Sequence, residues 1–210
     1  MKKLLLVLVL MVPMILDGCS KIPQKSEEEL STEQLAMIDS LLNSNAPVTT
    51  NIFEVGELED MQLSAREIIY KGDTIPFLAI YAKVRNWGGF NDYDEGVAIV
   101  TPYEIKAICN NIDSVISKVS TVVDNRQNVT YSSKSGLTID ANNSWGNDMP
   151  WDINVTVNYQ GNASTMLTKE QLGLLKNLLM NSYVETKGYK QLANLSKKSP
   201  QIRLLNKFYK

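Results

Sequence analysis

From Trp151 to Tyr159 the chain alternates without a break: Trp151, Ile153, Val155, Val157 and Tyr159 are apolar or aromatic, and Asp152, Asn154, Thr156 and Asn158 between them are polar. A period of two puts those two sets on opposite faces of a strand, so one face needs a cover. A second period supplies it. Ile105, Ile108, Ile112, Val115, Ile116 and Val119 recur at spacings of three and four and form one stripe of a helix. Thr101 as a capping residue, Pro102 at the first helical position and Glu104 returning a bond to the cap predict where that helix starts. One-sided strands and one-sided helices must bury their apolar faces on each other. The expected fold class is therefore α+β, an antiparallel sheet with two helices packed on one face.

The remaining elements follow from the same two periods. Leu35, Ile38, Leu41 and Leu42 predict an N-terminal helix within residues 32–45, started by a Ser31 and Gln34 capping box and ended by Asn45, Ala46 and Pro47. Residues 61–86 read as a hairpin turning at Lys71, Gly72 and Asp73. Its second arm, Phe77 to Val84, is almost continuously apolar, as in a strand covered on both faces. Val97 to Val100 predicts a third strand. In the second half Val129 to Ser133 and Leu137 to Asp140 predict a hairpin through Ser135 and Gly136, and a short strand ends at Leu167. Thr168 and Gln171 then frame a helix carrying Leu172, Leu175, Leu178 and Leu179. The two helix starts, Thr101 and Thr168, each follow a short apolar strand and a tryptophan-bearing loop. Either a duplicated strand-strand-strand-helix unit or the shared demands of capping accounts for that parallel.

The N-terminus has the form of an export signal: Lys2 and Lys3, an apolar run from Leu4 to Leu16, then Asp17, Gly18 and Cys19. That run is shorter than the roughly 20 residues a membrane-spanning helix needs. Leu16, Asp17, Gly18 and Cys19 resemble the lipobox of bacterial lipoproteins, and Ser26 with Glu27, Glu28 and Glu29 is similar to the acidic export signals of some Bacteroidetes lipoproteins. The resemblance implies cleavage before Cys19, lipidation of Cys19, and attachment to the outer membrane with the periplasmic or surface side left open. Ser20, after the cysteine, is similar to the outer-membrane-sorted class. The expected organisation is a signal peptide at 1–18, a lipidated cysteine and polar tether at 19–31, the helix at 32–45, a single α+β domain at 50–185, and a basic tail at 186–210.

Charge and cysteine content narrow the chemistry. The chain has no histidine and a net charge of −2, which removes imidazole bases, ligands and pH switches together. Residues 187–210 hold seven basic and no acidic side chains, so the body upstream is acidic. An acidic body lacks the positive footprint that polyanions require, and no nucleic-acid partner is expected. With Cys19 lipidated, Cys109 is left alone, and its place on an apolar helical face predicts a buried structural thiol. The basic tail interleaves lysines with leucines and suits either an anionic membrane surface or packing on the acidic domain.

Two loops concentrate the residue types that bind. Trp87, Phe90, Asn91, Asp92 and Tyr93 lie in the first, and Trp145, Asp148 and Trp151 in the second. Aromatic faces beside short polar acceptors can stack on sugar rings or grip a protein partner; the same tryptophans could equally serve as plugs holding long loops to the sheet. Asp92, Asp94 and Glu95 lack the spacing of a calcium loop. Lys134, Ser135 and Gly136 look like the triplet of penicillin-binding proteins, but no serine is followed three places later by a lysine. No catalytic residue, metal site or cofactor is expected. The expected function is an envelope-anchored lipoprotein acting as a non-catalytic binding or scaffolding module, with a protein partner favoured. The alternative is a glycan-binding or glycan-acting surface lipoprotein, a carboxylate-based hydrolase.

Overall fold

The computed structural model describes residues 25–86, 92–121, 126–143 and 151–195, with side chains described up to Tyr183. Cys19 and its neighbours lie outside the described residues. The first element among the described residues is helix α1, Glu27–Leu42. It starts earlier than the expected Ser31 and Gln34 box, because Ser26 is the cap: its Oγ accepts from the Glu29 N–H at 3.2 Å while the Glu29 carboxylate accepts from the Ser26 N–H at 2.9 Å. Glu27, Glu28 and Glu29 occupy the first turn, where the helix dipole favours negative charge. Part of the expected polar tether is thus helix. Ser31 is buried within it, and Gln34 Nε2 donates across to the Pro76 carbonyl at 2.7 Å.

Strands β1 (Thr49–Leu58), β2 (Met61–Tyr70), β3 (Asp73–Arg85) and β4 (Tyr93–Val100) form an antiparallel meander. β1 was not expected: its apolar residues do not alternate cleanly, and a register shift interrupts it between Glu54 and Gly56. β3 is central, and its continuous apolar run has the predicted cause. Leu78, Ile80 and Ala82 face the main core, while Ile75, Phe77 and Ala79 face the other way onto Ile38 and Leu41 of α1. Burying those two α1 side chains contributes about 1.5–3 kcal/mol each.

Helix α2, Pro102–Val119, follows β4. The stripe is as predicted, with Ile105, Ile108 and Ile112 fully buried, but the expected capping box does not form. The Thr101 side chain makes no cap bond; its hydroxyl instead meets that of Ser31 at 2.7 Å, and Glu104 turns toward Ser135.

The second half repeats the plan. Its strands are β5 (Asn128–Ser132), β6 (Leu137–Asn142), β7 (Asp152–Val157), the two-residue β8 (Gln160–Gly161) and β9 (Ala163–Leu167), and helix α3 (Lys169–Leu195) follows. Four of them form an antiparallel sheet in the order β5-β6-β7-β9, whereas β8 joins the edge of β4 in the first sheet and links the halves. At the start of α3 the predicted box is present: the Thr168 N–H donates to Gln171 Oε1 at 2.7 Å, and the Gln171 N–H to Thr168 Oγ1 at 3.2 Å. α3 runs past residue 186, so the start of the basic tail is helical. The fold is α+β, built of repeated antiparallel strand units each closed by a helix. It has two sheets where one was expected. α2 and α3 pack side by side and share one core with both sheets. Leu78 and Ile80 enter that core from the first sheet, Ile139 and Ile153 from the second, and Leu172 and Leu175 from α3.

Candidate functional site

The two candidate loops span β3 to β4 and β6 to β7. Trp87, Phe90, Asn91, Trp145 and Asp148 lie outside the described residues. The strand ends that carry the loops are described, and the turn at Glu59 and Asp60 contacts β3 near its end, β9 and α3. The Asp60 carbonyl accepts from the Lys83 N–H at 3.1 Å, close to the first loop. The Asp60 carboxylate accepts from Thr165 Oγ1 of β9 at 3.3 Å, and Thr165 pairs with Val155 within β7. Gln171 Nε2 of α3 donates to the Glu59 carboxylate on the same turn.

Of the expected site residues in the described part, Tyr93 and Asp92 are exposed, whereas Trp151 is half-buried and packs against the main core. Trp151 serves as a plug. Asp92 uses its backbone carbonyl to accept from the Asn86 N–H at 2.9 Å, closing the base of the first loop.

The tertiary structure adds two residues that loop composition did not indicate, Tyr81 and Lys83, and joins them to Glu95 of the first loop. In register, Lys83 of β3 opposes Glu95 of β4, and Lys83 Nζ lies 2.6 Å from Glu95 Oε1. The same ammonium sits 4.8 Å from the centroid of the Tyr93 ring, within cation–π range. The Lys83 hydrogen bond, followed by that of the Tyr81 hydroxyl, holds the Glu95 carboxyl below its ordinary range. Glu95 in turn raises Lys83, and desolvation followed by the Glu95 bond raises Tyr81. The group is a fixed arrangement of cation, anion and two phenol rings, suited to recognition. A signal for it was present in the sequence: odd positions of β3 are apolar at Ile75, Phe77 and Ala79 and become polar or amphipathic at Tyr81, Lys83 and Arg85. That switch marks where α1 stops covering the sheet.

The other chemically suggestive residues are structural. Cys109 is buried, its Sγ faces the Lys176 carbonyl at 3.9 Å, and desolvation pushes its thiol up to about 11. Ser135 is fully buried and its Oγ lies 2.7 Å from that of Ser133, so the Lys134, Ser135, Gly136 triplet is a turn. Among the described residues no three His, Cys, Asp or Glu side chains converge as metal ligands. No described helix is long and apolar enough to cross a membrane.

No family model matches the chain. No curated protein matches it either. Among solved structures, the crystal structures of trypanosoma bruciei MRP1/MRP2 are similar over 75% of this chain and 96% of that chain, at 9% identity and a TM-score of 0.29. A likeness that slight carries no argument about function.

Proposed function

We propose that this chain is an envelope-anchored lipoprotein, lipidated at Cys19, that acts as a non-catalytic binding or scaffolding module for a protein partner. The observation that carries the binding half is the cluster at the base of the first aromatic loop, where exposed Lys83, Tyr93 and Glu95 surround half-buried Tyr81 on a part of the sheet that α1 leaves uncovered. Tyrosine rings held at a surface are among the usual anchors of protein recognition. The anchoring half rests on the resemblance of Leu16, Asp17, Gly18 and Cys19 to a lipobox. Cys19 precedes the cap Ser26 by seven positions, a reach of at most about 25 Å, so the domain would sit close to the membrane.

Both halves are tested separately. Mass spectrometry of the native amino terminus should find acyl chains on Cys19; an intact leader or an unmodified thiol would end the anchoring proposal. For binding, a photoreactive side chain at Tyr93 in the intact envelope should trap one discrete protein adduct, and the same group at the remote, exposed Asn110 should trap none. Equal trapping at both positions, or trapping at neither, would refute the partner proposal.

A further inference from the structure

α1 lies on one face of the first sheet, and that face continues beyond it. Ala79 opposes Ile99, Tyr81 opposes Val97, Lys83 opposes Glu95 and Arg85 opposes Tyr93, so alternate residues of β3 and β4 form one surface. Under α1 this surface is apolar: Ile75, Phe77, Ala79 and Ile99 are buried with Ile38 and Leu41, in a cluster separate from the main core. Past α1 the same surface carries Tyr81, Lys83, Tyr93 and Glu95.

The helix is lightly held. α1 buries Ser31, Ile38 and Leu41, whereas α2 sends Ile105, Ile108, Cys109, Ile112 and Val115 into the main core. Polar contacts supply much of the remaining attachment: Glu28 to Lys134, Ser31 to Thr101, Gln34 Nε2 to the Pro76 carbonyl, and the Asp39 carboxylate accepting from the Tyr159 hydroxyl. The first of these is an exposed ion pair and contributes little. Gln34 Oε1 is buried without a donor, which favours a state in which water reaches it. The connector to β1 is fastened to the helix: the Asn43 and Ser44 N–H groups donate to the Asp39 and Leu41 carbonyls, and the Ala46 N–H to Ser44 Oγ. Few buried apolar contacts on a satellite cluster mark an element that opens while the rest stays folded.

We infer that α1 is a reversible cover of the binding face: it lifts with its connector while both sheets and the main core stay folded, and lifting joins Ile75, Phe77, Ala79 and Ile99 to the surface that carries Tyr81, Lys83, Tyr93 and Glu95. The inference rests on the reading of that surface as a binding site. A protein partner seated on the exposed end reaches the apolar part only in the lifted state, so the population of that state sets its apparent affinity.

The test uses the full chain carrying Cys19→Ser, in mild detergent. In native-state hydrogen exchange the Leu35–Ile38 amides of α1 should exchange at least about 100-fold faster than the Ile105–Ile112 amides of α2. The Ser31 and Thr101 oxygens stand 2.7 Å apart, so Ser31→Cys with Thr101→Cys brings two sulfurs within reach of a disulfide. Oxidation should slow α1 exchange to the α2 rate, and reduction should restore it. Ala79 is 2% exposed beneath α1, and a cysteine placed there should react with a thiol reagent roughly 100-fold faster than Cys109 of the same chain. Matched exchange of α1 and α2, a disulfide that changes nothing, or equal reaction of the two cysteines overturns the cover. A photoreactive group at Tyr93 reads the consequence for binding: the disulfide should reduce its protein adduct several-fold, and an adduct indifferent to the disulfide overturns the masking role. Absence of an adduct in both states falls on the binding proposal, while the exchange rates still decide whether α1 lifts.

Discussion

Gly96 of β4 and Gly161 of β8 oppose each other across the junction of the two sheets, with no room for a side chain on either. A methyl group at Gly161 would stand 2.2 Å from the Glu95 carbonyl oxygen, and one at Gly96 would stand 2.3 Å from that of Val157. Nearby, the Tyr159 N–H donates to the Val97 carbonyl at 2.9 Å and the Asn162 N–H to that of Glu95 at 3.0 Å. Close backbone contact joins the halves of the molecule at this point.

Gly161→Ala should accordingly cost about 3 kcal/mol or more, because both the clash and its φ of +72° resist a side chain. For a chain of this size that lowers the melting temperature by roughly 6–12 °C. Gly173→Ala is the control: nothing lies within 4 Å of its added carbon, and a helix-interior alanine should raise stability by about 0.5–1 kcal/mol. Thermal unfolding of the two variants should move in opposite directions.

Docking of α1 depends on the Ser31 and Thr101 hydroxyls, which meet at 2.7 Å in a buried setting. Ser31→Ala strands the Thr101 hydroxyl and should cost about 1–3 kcal/mol. Combining it with Thr101→Val removes both partners and should cost less than the two single changes added together. A double-mutant cycle by denaturant unfolding measures that coupling; strict additivity would show that the pair does not hold the helix.

Stability should fall as pH rises from about 4.5, owing to Glu104. Burial raises its carboxyl above the ordinary value of 4.5, against the bonds from Ser135 and the Lys134 backbone. The folded state thus holds this proton more tightly than the unfolded chain, and its advantage is lost as pH passes through the raised value. Glu104→Gln should remove that decline, so the variant gains on the parent with increasing pH. Glu28 and Glu95 are lowered by Lys134 and Lys83 and act in the opposite sense, losing their contribution as pH falls; both are exposed and their effect is small. Denaturant titrations between about pH 4 and 7 on parent and variant isolate Glu104 by difference.

Cys109 should resist thiol reagents at neutral pH, since its thiol is buried and pushed up to about 11. Labelling of the chain carrying Cys19→Ser should proceed only as fast as the protein opens, and should accelerate sharply in denaturant. Rapid labelling under native conditions would place α2 and α3 further apart than the contact with Lys176 allows.

Much of the secondary structure was legible because its causes are local. The α2 stripe, the β7 alternation and the Thr168 box depend on neighbours within four residues, and each formed as spaced. Capping was legible only in part. Ser31 and Thr101 both have cap chemistry, yet they spend it on each other across 70 residues, while Ser26 supplies the working cap of α1. β1 is not legible because its interrupted register blurs the alternation that marks a strand. The Tyr81, Lys83, Tyr93 and Glu95 cluster joins two strands through a register that no local pattern specifies.

By itself the sequence determined the helices, most of the strands, the two-sided burial of β3 and the α+β class, since side-chain period and cap chemistry act along the chain. Only the tertiary structure decided that there are two sheets, that α1 covers part of one of them, and that Asp60 ties β3 to β9. Those outcomes rest on backbone approaches and hydroxyl pairs between distant residues, whose free energy exists only once the chain has brought them together.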